Sequence, residues 1–71
     1  MDKKKALQYY TLAAEQGNAA AQYNCGLMYY EGYGTEIDFA EALKWFERSA
    51  AQGQKEAQEA VAVLQDAIAR R

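Results

Sequence analysis

A chain of 71 residues holds one folded domain at most, because a second independent core needs a longer chain. With 51% hydrophobic, 13% aromatic and 25% charged residues, it has the composition of an ordered protein rather than a disordered one. A net charge of -2 leaves no basic excess to neutralise phosphates, so nucleic acid is not expected as a partner.

The first element in chain order is a helix from about Lys3 to Gln16, with Asp2 as its N-cap and Gly17 as the left-handed residue that ends it. Lys3, Lys4 and Lys5 form the only basic run, read as a solvated first turn. Asn18 then caps a second helix from about Ala19 to Glu31, stopped by Gly32-Tyr33-Gly34. Its residues Ala21, Cys25, Met28 and Tyr29 lie on one continuous face, expected to be core. Asp38-Phe39-Ala40-Glu41 has the form of a capping box, in which Asp38 accepts from first-turn amides and Glu41 reaches back. It opens a third helix, from about Phe39 to Gln52, ended by Gly53. The fourth runs from about Lys55 to Ala69. Its residues Ala57, Ala60, Val61, Leu64, Ala67 and Ile68 form an apolar stripe, and Arg70 and Arg71 suit the negative end of its dipole. Alanine is abundant and β-branched residues are few, so an all-α fold is expected. Short connections make successive helices antiparallel. The result is two stacked helical hairpins, a short α-solenoid.

A single period organises these helices. Ala6-Leu7 recurs as Ala42-Leu43, Tyr9-Tyr10 as the aromatic pair Trp45-Phe46, Gln16-Gly17 as Gln52-Gly53, and Ala21-Gln22 as Ala57-Gln58, all at the spacing that separates Ala6 from Ala42. After Gln58 the likeness fades, Gly26 facing Ala62 and Tyr29 facing Gln65.

The stretch from Ala21 to Phe46 resembles a Sel1-like repeat, a relative of the tetratricopeptide repeat. Ala21, Gly26, Tyr29, Gly32, Gly34, Asp38, Ala42, Trp45, Ala50 and Gly53 match its pattern. Cys25, Thr35, Glu41 and Ser49 depart from it without breaking a helical hairpin. The resemblance implies a division into the second helix of a partial repeat (2–17), a complete repeat (18–53) and a C-terminal capping helix (54–71). A disulfide-linked subgroup of the family pairs cysteines at the positions of Ala50 and Ala57, so that subgroup is not expected here.

Chemistry is constrained by what is missing. Histidine is absent, Ser49 is the only serine and Cys25 the only cysteine. Ser-His-Asp, Cys-His and His-based metal constellations therefore cannot be built, nor can a disulfide close within the chain. No enzyme, cofactor or metal site is expected. Gly32-Tyr33-Gly34 lacks the strand and third glycine of a dinucleotide fingerprint, and the cap explains Asp38 with Glu41 better than a catalytic carboxylate pair does. No stretch approaches the roughly 18 uninterrupted apolar residues of a membrane span, and no signal peptide opens the chain, so it reads as soluble with no membrane partner.

Binding is the remaining expectation. Tyr23, Leu27 and Tyr30 give the second helix a further apolar side, and one period later the same places hold Glu59, Val63 and Asp66. The resemblance implies that these six positions share a concave surface for an unidentified protein or peptide, with an adaptor or scaffold role. The alternative is a truncated or engineered array with a purely structural role. A small-molecule site or an enzyme ranks last. Tyr9, Tyr10 and Leu12 on the first helix suggest a monomer or a weak homodimer formed through it.

Overall fold

The structure is a computed structural model describing residues 2–70. Four helices follow in order: α1 (Lys3–Glu15), α2 (Ala19–Glu31), α3 (Phe39–Ala51) and α4 (Lys55–Ala69). The first three start where the capping residues stand, while α4 follows Gln54 without a side-chain cap. The Asp2 carboxylate accepts from the amides of Lys4 and Lys5, the Asn18 side chain from Ala21 and the Asp38 carboxylate from Glu41. Gln16 and Gln52 are the C-caps of α1 and α3 rather than their last residues. Arg71 lies outside the described residues.

The expected capping box is only half formed. The backbone amide of Asp38 donates to the carbonyl of Tyr29 at 2.9 Å, so no donor is left for the Glu41 side chain. That carboxylate pairs instead with Lys44 at 2.9 Å. Ala67, placed on the apolar stripe of α4, is exposed, and the stripe narrows to buried Ala57 and Leu64 with half-buried Ala60, Val61 and Ile68.

Each helix leans on its neighbour in sequence, α1 on α2, α2 on α3 and α3 on α4. One core cluster joins Ala14 of α1, Ala21 and Cys25 of α2, and Trp45 of α3. A second joins Ala42 and Phe46 of α3 to Leu64 of α4, with Tyr23, Leu27 and Tyr29 of α2 against it. Arg48 lies 4.6 Å from the centre of the Trp45 ring and Lys44 lies 5.4 Å from it, screening a side chain that is otherwise buried. The indole N–H of Trp45 meets no acceptor among the described residues.

Both short turns use a glycine with positive φ, +98° at Gly17 and +90° at Gly53, and a side chain at either would meet open space. Valine there therefore costs only the backbone strain of the left-handed region. The expected loss is about 1 kcal/mol or slightly more at each site. Thermal melts check this, and an unchanged midpoint would show that the turn had taken another geometry.

Candidate groove between the second and fourth helices

Residues three and four apart on a helix share a face, so Tyr23, Leu27 and Tyr30 line one side of α2, and Glu56, Glu59, Ala60 and Val63 line the facing side of α4. Together with Phe46 and Leu64 at the bottom they bound a groove of about 300 Å³. Its floor is aromatic and aliphatic. The Tyr23 and Phe46 rings lie 5.7 Å apart and tilted, and Tyr30 stands 5.4 Å from Phe39, which fixes both tyrosines against α3. Tyr23 and Leu27 are half-buried, while Tyr30 keeps 40% and Val63 64% of its surface exposed.

Five of the six residues singled out by repeat position thus border one groove: Tyr23, Leu27, Tyr30, Glu59 and Val63. Asp66 does not line it, and its carboxylate pairs with Arg70, one turn further along α4, at 3.2 Å. Glu56, which the repeat comparison passed over, takes its place as the second acid of the rim. The signal was available, since Glu56 precedes Ala60 and Val63 by helical steps of four and seven.

Outside the groove, the helices are held in register by neutral side chains that sequence reasoning also passed over. Buried Gln22 donates from Nε2 to the carbonyl of Ala14 at 3.0 Å, and Gln58 repeats that bond one period later to Ala50 at 3.2 Å. Gln52 donates to the carbonyl of Gly17 at 2.8 Å and to Oε1 of Gln22 at 3.0 Å. Ser49, where the family pattern has alanine, is fully buried and its hydroxyl donates to the carbonyl of Ala19 at 2.7 Å. The recurrence of glutamine at one spacing was the visible sign of this lattice.

Cys25 is fully buried, with its thiol 3.8 Å from the hydroxyl of Thr11. Burial pushes the thiol pKa above its ordinary value, outweighing the Thr11 contact, which lowers it. Such a thiol serves as packing rather than as a nucleophile. Among the described residues no three metal-ligating side chains gather, and no described helix is long and apolar enough to cross a membrane.

Stacked antiparallel hairpins with a repeated core and an open groove along one layer define a helical repeat protein of the protein-interaction class. The sequence pattern of the Sel1 repeat matches residues 2–18 and 19–54, and the chain belongs to that family, whose repeats mediate protein–protein interaction. It is 36% identical over 64 residues to the DAP3-binding cell death enhancer 1 of Rattus norvegicus, covering 90% of this chain and 13% of that protein. A sel1-like repeat-containing protein of Acanthamoeba polyphaga mimivirus is 48% identical over 44 residues, covering 62% of this chain and 8% of the relative. The chitin synthase regulator SKT5 of Malassezia restricta is 44% identical over 45 residues, covering 63% of this chain and 3% of the relative. The chain therefore spans only a small part of the length of the relatives it matches.

Proposed function

We propose that this chain is a non-catalytic adaptor module that holds a segment of a partner protein in the groove between α2 and α4. The observation that carries this reading is the pairing of an apolar lining, built by Tyr23, Leu27 and Val63 over Phe46 and Leu64, with a rim that bears Glu56 and Glu59. Such a site selects a short peptide with apolar anchors flanked by Lys or Arg. A relative named for binding DAP3 supports a protein as the partner class.

The test uses a synthetic amphipathic peptide that carries leucines flanked by lysines, beside a copy in which each lysine is glutamate. The lysine peptide is expected to perturb amide signals at Tyr23, Leu27, Tyr30 and Val63, and the glutamate copy to leave them in place. Reversing both rim charges with Glu56→Lys and Glu59→Lys is expected to weaken binding by about tenfold, the equivalent of roughly 1.4 kcal/mol. Affinity unchanged by that double reversal would overturn the site.

A second, weaker activity rests on α1, where Tyr9 and Leu12 are largely exposed. Burying a tyrosine or leucine contributes about 1.5 to 3 kcal/mol, which leaves little after the cost of association. The chain is accordingly a monomer that pairs weakly through α1 when concentrated. Sedimentation equilibrium over a wide concentration range tests this, and a strict monomer throughout would remove the second reading.

A further inference from the structure

The groove between α2 and α4 has two unlike ends. The Ser49 hydroxyl near the end of α3 reaches the Ala19 carbonyl at the start of α2, and Gln58 near the start of α4 reaches the Ala50 carbonyl near the end of α3. Both outer helices are thus antiparallel to α3, and they run in the same direction. The groove is walled by α2 from Tyr23 to Tyr30 and by α4 from Glu56 to Val63. The two acids therefore stand level with Tyr23, where the helices begin, and Val63 stands level with Tyr30 at the far end. Glu56 and Glu59 are exposed and take no part in the ion pairs among the described residues, which join Glu41 to Lys44 and Asp66 to Arg70. The near end is open to a cation. The far end is aromatic and aliphatic.

Length and width narrow the occupant further. The seven residues of helix from Tyr23 to Tyr30 rise about 10 Å. A volume of about 300 Å³ spread over that length leaves a cross-section of about 30 Å², against about 80 Å² for an α-helix 10 Å across. The groove takes in a single extended run of chain and not the body of a helix. A β-strand brings side chains to one face about 6.6 Å or about 13 Å apart, and neither spacing matches. A polyproline II segment, with three residues per turn, brings residues three apart to one face at about 9.3 Å, which does. Its carbonyls are free of internal bonds, and Tyr23 and Tyr30 each bring a hydroxyl that can donate to one. Building on the reading of this groove as a peptide site, we infer that its occupant is a proline-rich segment of a partner protein in the polyproline II conformation. One basic side chain lies over Glu56 and Glu59, and an apolar side chain three residues away rests against Leu27, Tyr30 and Val63.

The probe is a synthetic peptide in which arginine and leucine are separated by two prolines and flanked by two more on either side. It is titrated into the 71-residue chain up to about 1 mM, the affinity range of a short segment with modest buried area. Amide signals of Tyr23, Leu27, Tyr30 and Val63 are expected to move. Three altered peptides are expected to bind at least about tenfold more weakly: one with leucine exchanged with the proline before it, one with alanine for every proline, and one with glutamate for arginine. A nitroxide label at the arginine end is expected to broaden the amides of Glu56 and Glu59 before that of Tyr30. The amphipathic leucine–lysine peptide separates the two readings of the groove. If it shifts these amides and the proline peptide does not, the groove stands as a peptide site and the polyproline inference falls; if neither does, both fall. Equal affinity of the two leucine registers, equal affinity of the proline and alanine peptides, or broadening that begins at Tyr30 would also overturn the inference.

Discussion

Gly26→Val is expected to destabilise the chain by about 3 kcal/mol, the upper end of what overpacking costs in a well-filled core. The helical backbone at this position is ordinary, and the cause is space alone. A Cβ would lie 2.4 Å from Cδ1 and 2.5 Å from Cε1 of Phe46, a ring that is 2% exposed and backed by Tyr23 and Leu64. The ring cannot swing aside without α2 and α3 moving apart. At about 4 to 8 °C per kcal/mol for a domain of this size, the melting midpoint should fall by at least 12 °C or so. Circular dichroism melts measure it, with Gly26→Ala expected between the wild-type chain and the valine variant. A valine variant that melts with the wild type would mean that Phe46 has another place to go.

Phe46→Ala is expected to cost about 3 to 5 kcal/mol, since the ring anchors the second core cluster and its removal leaves a cavity among Tyr23, Ala42 and Leu64. For a domain this small, that loss approaches the whole of its stability. The two substitutions touch the same atoms, so their effects should not add. Valine at position 26 fills part of the space that alanine at position 46 opens, and the double variant should be more stable than the sum predicts by about 0.5 to 3 kcal/mol. Strict additivity would place the strain of Gly26→Val somewhere other than the Phe46 ring.

These residues also show where sequence reading succeeds and where it stops. Helix starts were legible because Asp2, Asn18 and Asp38 cap locally, and the ends because Gly17 and Gly53 stand beside the helices they close. The bond from Asp38 to the Tyr29 carbonyl was not legible, since it crosses a loop that composition does not shape, and it disarms half of the capping box. The demand for glycine at position 26 was only partly visible, because close approach was expected but the ring that requires it stands on another helix. For the groove, repeat position brought out five residues and added Asp66, because a period assigns a face but not how far along a helix the groove extends.

The glutamine and serine lattice has a consequence for how the array responds to protons. The contacts from Gln22, Ser49, Gln52 and Gln58 that cross between helices or turns are made by neutral groups, whereas Lys44 with Glu41 and Arg70 with Asp66 each join residues of a single helical segment. None of these stacking bonds contains a group that takes up a proton in acid. On the alkaline side one buried and one half-buried group do titrate. Burial raises both the Cys25 thiol and the Tyr29 phenol above their ordinary values of 9.0 and 10.0, so the folded chain holds these protons more tightly than the unfolded one. Their contribution is complete below pH 9.0 and drains away as the pH climbs through the folded values. The bonds that align the helices thus carry no acidic or basic group, while the burial of Cys25 and Tyr29 makes the packing between helices lose stability in base.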